Sequence, residues 1–303
     1  MNTIYDVVII GAGPGGLTAA IYGMRAGLKT LLIEKAYVSG GQIINTAEVD
    51  NYPGIPRVSG MELANKFKEH AENMGVTFVR TEVTDIEVQS DIKKIITSAE
   101  IYSTKSVIIA TGATHRLLGI LGEMELAGAG VSYCATCDGA FFKDKTVAVI
   151  GGGDVAVEDA IFLARLCKKV YVVHRRDELR AAKVLQDRLL ALDNVEMLWS
   201  QVPEAIIGDG QVEKIALKGV KTQIQQEVNV DGVFIAVGMN PQTESFKGIV
   251  ALDESGYIKA GEDCRTNIDG IYVVGDVRTK ALRQIITAAA DGANAITSVQ
   301  DDA

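Results

Sequence analysis

Two cysteines three residues apart, in the run Cys134-Ala135-Thr136-Cys137, are the side chains of this 303-residue sequence best suited to covalent chemistry. In a pair of this spacing one thiolate can attack a disulfide, and the other can resolve the mixed disulfide that results. A structural zinc site uses the same spacing, but zinc takes four ligands and the sequence has no second Cys-x-x-Cys. Asp138 follows the pair directly. Its carboxyl is a candidate proton donor to a leaving thiolate; Asp-Gly with Gly139 reads equally well as a turn. Cys167, on an expected helix, and the isolated Cys264 beside Arg265 read as structural. His70 and His115 have no ligand-like spacing, so no metal is expected.

Glycines supply the second kind of chemistry. Gly11-x-Gly13-x-x-Gly16 follows an apolar run at residues 6–10 and leads into a helical pattern. Gly11 permits a tight turn, Gly13 lets the backbone approach a pyrophosphate, and Gly16 lets helix and strand pack closely. The start of the helix then directs N–H groups and its positive dipole end at the phosphates. Glu34 ends the next apolar run. A carboxylate there can accept hydrogen bonds from both ribose hydroxyls and repels a 2′-phosphate, which points to FAD or NAD rather than NADP.

A second copy of this arrangement begins at residues 146–150 with Gly151-x-Gly153-x-x-Ala156 and Asp154. Val157, Ala160, Ile161 and Ala164 lie on one face of a helix. The spacing from Gly151 to His174 equals that from Gly11 to Glu34, 23 positions in each. The strand end differs, because His174-Arg175-Arg176, with Arg180 close behind, replaces the acid. Guanidinium forks suit phosphate oxygens and His174 can add a hydrogen bond, so this unit is expected to take NADPH.

These sites need elements to hold them. Two β-α-β units predict an α/β fold with two three-layer dinucleotide-binding domains of Rossmann type. Residues 270–276 read as a buried strand ending in Gly275-Asp276, and residues 285–295 as an Ala-rich helix. Alternating runs between residues 75 and 107, including 76–79 and 94–97, predict an added β-meander. Similar runs recur between 205 and 237. A formal net charge of −9 argues against nucleic acid as a partner. The apolar stretch at residues 6–32 is broken by glycines, Pro14 and charges, so no membrane span or signal peptide is expected, and the cytoplasm is the default. Four cysteines make no disulfide framework, which fits a reducing compartment.

Together these residues resemble the low-molecular-weight thioredoxin reductases over nearly the whole chain. The resemblance rests on residues 11–16, Gly40-Gly41-Gln42, Asn51-Tyr52-Pro53-Gly54, Ala110-Thr111-Gly112, the run from Cys134 to Gly139, residues 151–154, His174-Arg175-Arg176, Gly275-Asp276 and Arg283-Gln284. It implies that Gly41, Gln42, Asn51 and Gly112 line FAD and that Asp276 holds its ribityl and pyrophosphate region. Arg283 and Gln284 would meet the flavin ring. It further implies that Cys137 faces the flavin, that Cys134 attacks a thioredoxin-like protein, and that Asp138 serves as acid and base. A homodimer is implied, as is a rotation between domains. The FAD domain would be residues 1–113 with 242–303, and the NADPH domain 114–241. Two positions depart from the family pattern. Val155 stands where Ser or Thr is usual and Asp159 where Glu is usual. The lost hydroxyl removes a hydrogen bond of about 1 kcal/mol. The departures leave room for a ferredoxin-fed reductase on this fold, although those variants lack the paired arginines. A flavin redox sensor without turnover is the rival outside the enzymes. A related ferredoxin–NADP reductase would lack the Cys-x-x-Cys.

Overall fold

The structure, a computed structural model, describes residues 3–46, 48–89 and 91–303. It divides into two compact units, Met1–Thr114 with Asn240–Ala303, and His115–Met239. Among the described residues no helix is long and apolar enough to cross a membrane.

The first unit begins β1 (Ile4–Ile10), α1 (Pro14–Arg25), β2 (Thr30–Glu34), α2 (Gly60–Asn73) and β3 (Thr77–Arg80). β1 and β2 run parallel, with Val7 opposite Thr30 and Ile10 opposite Ile33. Val7 and Ile9 pack in one apolar cluster with Leu17 of α1, and Val8 and Ile10 in another with Phe246. Both faces of this strand are therefore covered, as its unbroken apolar run requires. Pro14 opens α1, where a missing N–H costs nothing. Next come β4 (Val83–Gln89), β5 (Ile92–Thr97), β6 (Ile101–Ile109) and β7 (Ala113–His115).

The sheet order is β3-β2-β1-β6-β5-β4. β6 is shared. Its first half pairs antiparallel with β5, and its last three residues pair parallel with a later strand, Ile271–Val273. The expected meander is thus β4, β5 and β6. The run at residues 76–79 is a correction. It forms the parallel edge strand β3 beside β2 rather than part of the meander, because alternation in a short run does not encode strand direction.

The second unit contains β8 (Val131–Ser132), α3 (Ala135–Asp138), β9 (Thr146–Ile150), α4 (Asp154–Ala164), β10 (Lys169–His174), α5 (Lys183–Leu190), β11 (Val195–Trp199), β12 (Gln201–Ile207), β13 (Lys214–Gly219), β14 (Gln225–Asn229), β15 (Gly232–Ile235) and β16 (Met239–Pro241), the last crossing into the first unit. Its main sheet has the order β11-β10-β9-β15-β8, all parallel. β12, β13 and β14 form a separate antiparallel sheet. Cys167 is a second correction. It lies beyond the end of α4 in the bend before β10, where its N–H still bonds Leu163 O at 2.8 Å. The chain then returns to the first unit for β17 (Ile271–Val273) and α6 (Ile285–Asp301).

The chain passes between the units twice, and β7 and β16 pair at the crossings. On the first unit's side, the Gln242 N–H bonds Gly112 O at 2.9 Å and Thr111 Oγ1 bonds Gln242 O at 2.7 Å. On the second unit's side, the Arg116 N–H bonds Gly238 O at 3.0 Å.

Candidate active site

Cys134 and Cys137 form a disulfide, with Cα atoms 5.3 Å apart. Cys134 caps the start of α3, and its Sγ accepts the Cys137 N–H at 3.2 Å. A donor aimed at this sulfur favours its thiolate once the disulfide opens. Ala135 packs with Ala156, Val157 and Ala160, so the sulfur segment is seated on α4. Ser132, buried at the end of β8, bridges the segment. Its Oγ accepts the Cys134 N–H at 3.1 Å and donates to Asp138 Oδ2 at 2.6 Å. Burial pushes the Asp138 carboxyl up from its ordinary value, and the Ser132 hydrogen bond acts against that shift. Tyr133, next to Cys134, donates to the buried Glu123 at 2.9 Å.

The first unit gathers its glycine motif and its acid around the start of α1. Gly11 has φ +108, and a Cβ on it would strike Ala110 O. A Cβ on Gly16 would strike Gly11 O, so the helix lies directly on the turn. Over Gly13 there is open space. No side chain caps α1 and no acid stands in its first turn, which leaves its N–H groups to an anion. Glu34 accepts the Ala12 N–H at 2.7 Å and the Ala36 N–H at 2.8 Å, so its carboxylate is fixed against the glycine loop. The Gly40 N–H bonds Ala12 O at 2.7 Å, which brings Gly41 and Gln42 to the same loop; Gln42 Nε2 donates to Ala113 O. Asn51 Nδ2 donates to Gln284 Oε1 at 3.0 Å, and Gln284 caps α6 through a reciprocal capping box with Thr287. The Arg283 guanidinium lies over the Tyr257 ring at 4.1 Å, and its Nε donates to Asp276 O at 3.4 Å. Gly275 and Asp276 follow β17. Asp276 Oδ1 is buried without a hydrogen-bond partner, and burial pushes this carboxyl up. An orphaned acceptor of this kind, beside an uncapped helix start and open space over Gly13, fits a nucleotide with ribose or ribityl hydroxyls.

The second unit repeats the plan with different chemistry at its rim. No side chain caps α4 at Gly153, and the space over Gly153 is open. A Cβ on Gly152 would strike the His174 ring, so this glycine admits the imidazole. His174 is only 4% exposed and its Nε2 has no partner. Burial, then Arg180 and Arg176, hold its pKa below the usual histidine value. The Arg180 N–H bonds Gly152 O at 2.7 Å, and Asp154 Oδ1 accepts the Ala182 N–H at 2.7 Å. Asp154 and Gly152 thus tie the arginine-bearing loop to the glycine turn. Arg175, Arg176 and Arg180 are exposed, and none forms an ion pair among the described residues. Three unneutralised guanidinium groups beside an orphaned imidazole nitrogen and an uncapped helix start fit a phosphorylated nucleotide. Val155, in the first turn of α4, is 63% exposed. Asp159, one turn further on, is pushed up to about 6 by burial and by Glu158.

The family described as "Pyridine nucleotide-disulphide oxidoreductase" matches residues 5–292. The chain belongs to this family. Within the pyridine nucleotide-disulphide oxidoreductases it is of the low-molecular-weight thioredoxin reductase type. It is 48% identical over 290 residues to a thioredoxin reductase of Listeria innocua, covering 95% of this chain and 91% of the relative. It is 45% identical to one of Bacillus subtilis, covering 98% and 94%. Among solved structures, a thioredoxin reductase from Streptococcus pyogenes superposes with a TM-score of 0.95 at 47% identity, covering 100% and 99% of the two chains. Membership makes the chain an oxidoreductase and implies binding of a flavin and a pyridine nucleotide.

Sequence reasoning missed several residues that the structure builds into this oxidoreductase's sites. Ser132 carries no motif of its own. Glu123 is a lone acid that receives the Leu118 and Gly119 N–H groups as well as Tyr133. Asp291 had a legible signal, a single acid on the apolar face of α6 among Ala288, Ala289 and Ala295.

Proposed function

We propose that the chain is an NADPH-dependent thioredoxin-disulfide reductase containing FAD, acting as a homodimer in the cytoplasm. The observation that carries this reading is the Cys134–Cys137 disulfide on a helix start, with the half-buried acid Asp138 beside it and the open arginine cluster in the same unit. The names of the relatives support thioredoxin or a similar small protein as the partner.

The first unit would hold FAD, with Gly11, Gly13 and Gly16 at the pyrophosphate, Glu34 at the adenosine ribose, Asp276 at the ribityl chain, and Gly41, Gln42, Asn51, Gly112, Gly275, Arg283 and Gln284 around the remainder. Bound FAD supplies a two-electron relay between nicotinamide and sulfur. The second unit would hold NADPH, with Gly151, Gly153 and Asp154 forming the turn and His174, Arg175, Arg176 and Arg180 receiving the 2′-phosphate. Those arginines favour NADPH over a ferredoxin donor. In the net first half, NADPH, one proton and the Cys134–Cys137 disulfide give NADP+ and the dithiol. The Cys134 thiolate then attacks the partner disulfide and expels one partner sulfur, which leaves with the proton held by Asp138. Cys137 then attacks Cys134 Sγ in the mixed disulfide and expels the partner's remaining sulfur as a thiol, so the Cys134–Cys137 disulfide forms again as the partner leaves reduced.

Anaerobic titration of the yellow protein tests the donor, since stoichiometric NADPH is expected to bleach the flavin, with one equivalent for the Cys134–Cys137 disulfide and one for the flavin. Steady NADPH-dependent reduction of thioredoxin tests the acceptor. Protein that stays colourless after reconstitution, or that bleaches only with reduced ferredoxin, rejects the reading.

Ser132 gives a finer test of Asp138. The hydrogen bond from Ser132 favours the ionised carboxylate, so Ser132→Ala is expected to raise the Asp138 pKa further. The acid form then persists to higher pH, and the limb of the pH–rate profile that it controls moves upward. Exchange should also slow by about tenfold, the scale of one hydrogen bond to a charged group. A profile that superposes on that of the unaltered protein removes Asp138 from the acid–base role.

A further inference from the structure

Asp291, Arg278 and Lys280 are the three charged side chains that the fold buries together, among the described residues, and they surround the turn that carries Asp276. Asp291 is 3% exposed. Its Oδ2 accepts the Gly275 N–H at 2.9 Å, Arg278 Nε at 2.9 Å and Lys280 Nζ at 2.7 Å. Its Oδ1 accepts an Arg278 Nη at 2.7 Å. Four donors thus engage both oxygens of the carboxylate, three of them on Oδ2. One donor comes from the residue before Asp276, and the others come from two residues shortly after it. The clamp therefore grips both sides of Asp276 and leaves Asp276 Oδ1 unpartnered between them.

The helix that bears the clamp also fixes the glycine motif. Gly292 follows Asp291, and a Cβ on it would strike Gly15 O and come within 2.7 Å of Ala19 N. α6 thus meets α1 by direct backbone approach at the position next to the clamp. The charges within the clamp do not cancel, because two cations face one carboxylate. The surplus positive charge lies near Asp276, where Lys280 and Arg283 oppose the effect of burial on that carboxyl. A buried ion cluster adds little stability over apolar packing of the same volume, so its use lies in what it orients.

We infer that Asp291 is a positioning residue for flavin binding, acting through Asp276, whose carboxylate it aims by clamping residues 275–280 to α6. The inference rests on the reading of the first unit as the FAD site. It is tested on the full chain stripped of flavin, as unaltered protein, as Asp291→Asn, and as Asp291→Asn with Lys280→Met. The double variant removes one stranded cation and so protects the fold. FAD affinity is read from flavin fluorescence quenching. Affinity for 2′,5′-ADP, a probe of the second unit, is read by calorimetry beside the melting temperature. FAD affinity is expected to fall by about tenfold or more in both variants, the scale of one lost charge-assisted hydrogen bond. Affinity for 2′,5′-ADP should stay within about twofold, and the double variant should melt closer to the unaltered protein without recovering FAD affinity. FAD binding within about threefold of normal in either variant overturns the inference. Parallel loss of both ligands in both variants shows a role in folding alone and also overturns it. If the unaltered chain fails to bind FAD, the reading of the first unit fails instead.

Discussion

Cys137→Ser is expected to lower NADPH-dependent thioredoxin reduction by at least about 10³-fold, the scale seen when one member of a catalytic unit is removed. Serine keeps the shape of the site, and its backbone N–H can still reach Cys134 Sγ as the Cys137 N–H does at 3.2 Å. It cannot form or resolve a disulfide. Cys134 would still attack the partner, but no second sulfur would release it. A covalent complex between the two proteins should therefore accumulate and disappear on treatment with dithiothreitol. Cys134→Ser should give an equal loss of turnover without the complex. Flavin content and reduction of a small artificial acceptor by NADPH should survive both changes. Retention of a tenth of normal thioredoxin reduction in either variant would rule out the dithiol as the route.

The second large effect is expected at the arginine cluster. Arg175→Ala with Arg176→Ala should raise KM for NADPH by about a hundredfold, since two guanidinium–phosphate hydrogen bonds would be lost, each at an exposed position worth about 1.5 kcal/mol, the lower end for a charged pair. Neither arginine takes part in an ion pair among the described residues, so their loss breaks no internal contact of that kind. kcat at saturation should change little, because these contacts lie far along the nucleotide from its reactive ring. KM for NADH should stay nearly constant, because that dinucleotide lacks the 2′-phosphate. Steady-state kinetics with the two donors separate the cases. An equal rise in KM for both would assign the cluster to the shared part of the nucleotide and withdraw the preference for NADPH.

The fold was legible where sterics leave few choices. Gly11 and Gly16 had to be glycine, because a Cβ at either would strike backbone oxygen, and the two β-α-β units follow from such positions at fixed spacing. The sulfur pair was legible for a similar reason, since few arrangements use that spacing. Strand direction was not legible. The run at residues 76–79 alternates like a meander strand yet pairs parallel with β2, because alternation reports which faces are buried and not which edge is joined. The end of α4 was misjudged at Cys167 because the apolar pattern continues past the last helical turn.

Partners brought from afar were the least legible. Asp291 stood out as a lone acid on the apolar face of α6, but its partners Gly275 and Arg278 lie 16 and 13 residues away, with no period linking them to it. Ser132 becomes important only because α3 turns Asp138 back onto it. His174 was expected to add a hydrogen bond at the strand end. The structure buries its ring against Gly152, a neighbour supplied by the glycine turn and invisible in the local sequence.

The paired crossings at β7 and β16 carry a consequence for modularity. The hydrogen bonds between Gly112 and Gln242 on one side, and between Arg116 and Gly238 on the other, leave the cut ends of each unit side by side. Excising the inserted segment would leave the host a gap that a short turn can span, at small loop-closure cost. The sulfur-bearing cassette can therefore be swapped, circularly permuted or grafted as a single piece, a freedom by which one cofactor scaffold can acquire new electron outlets.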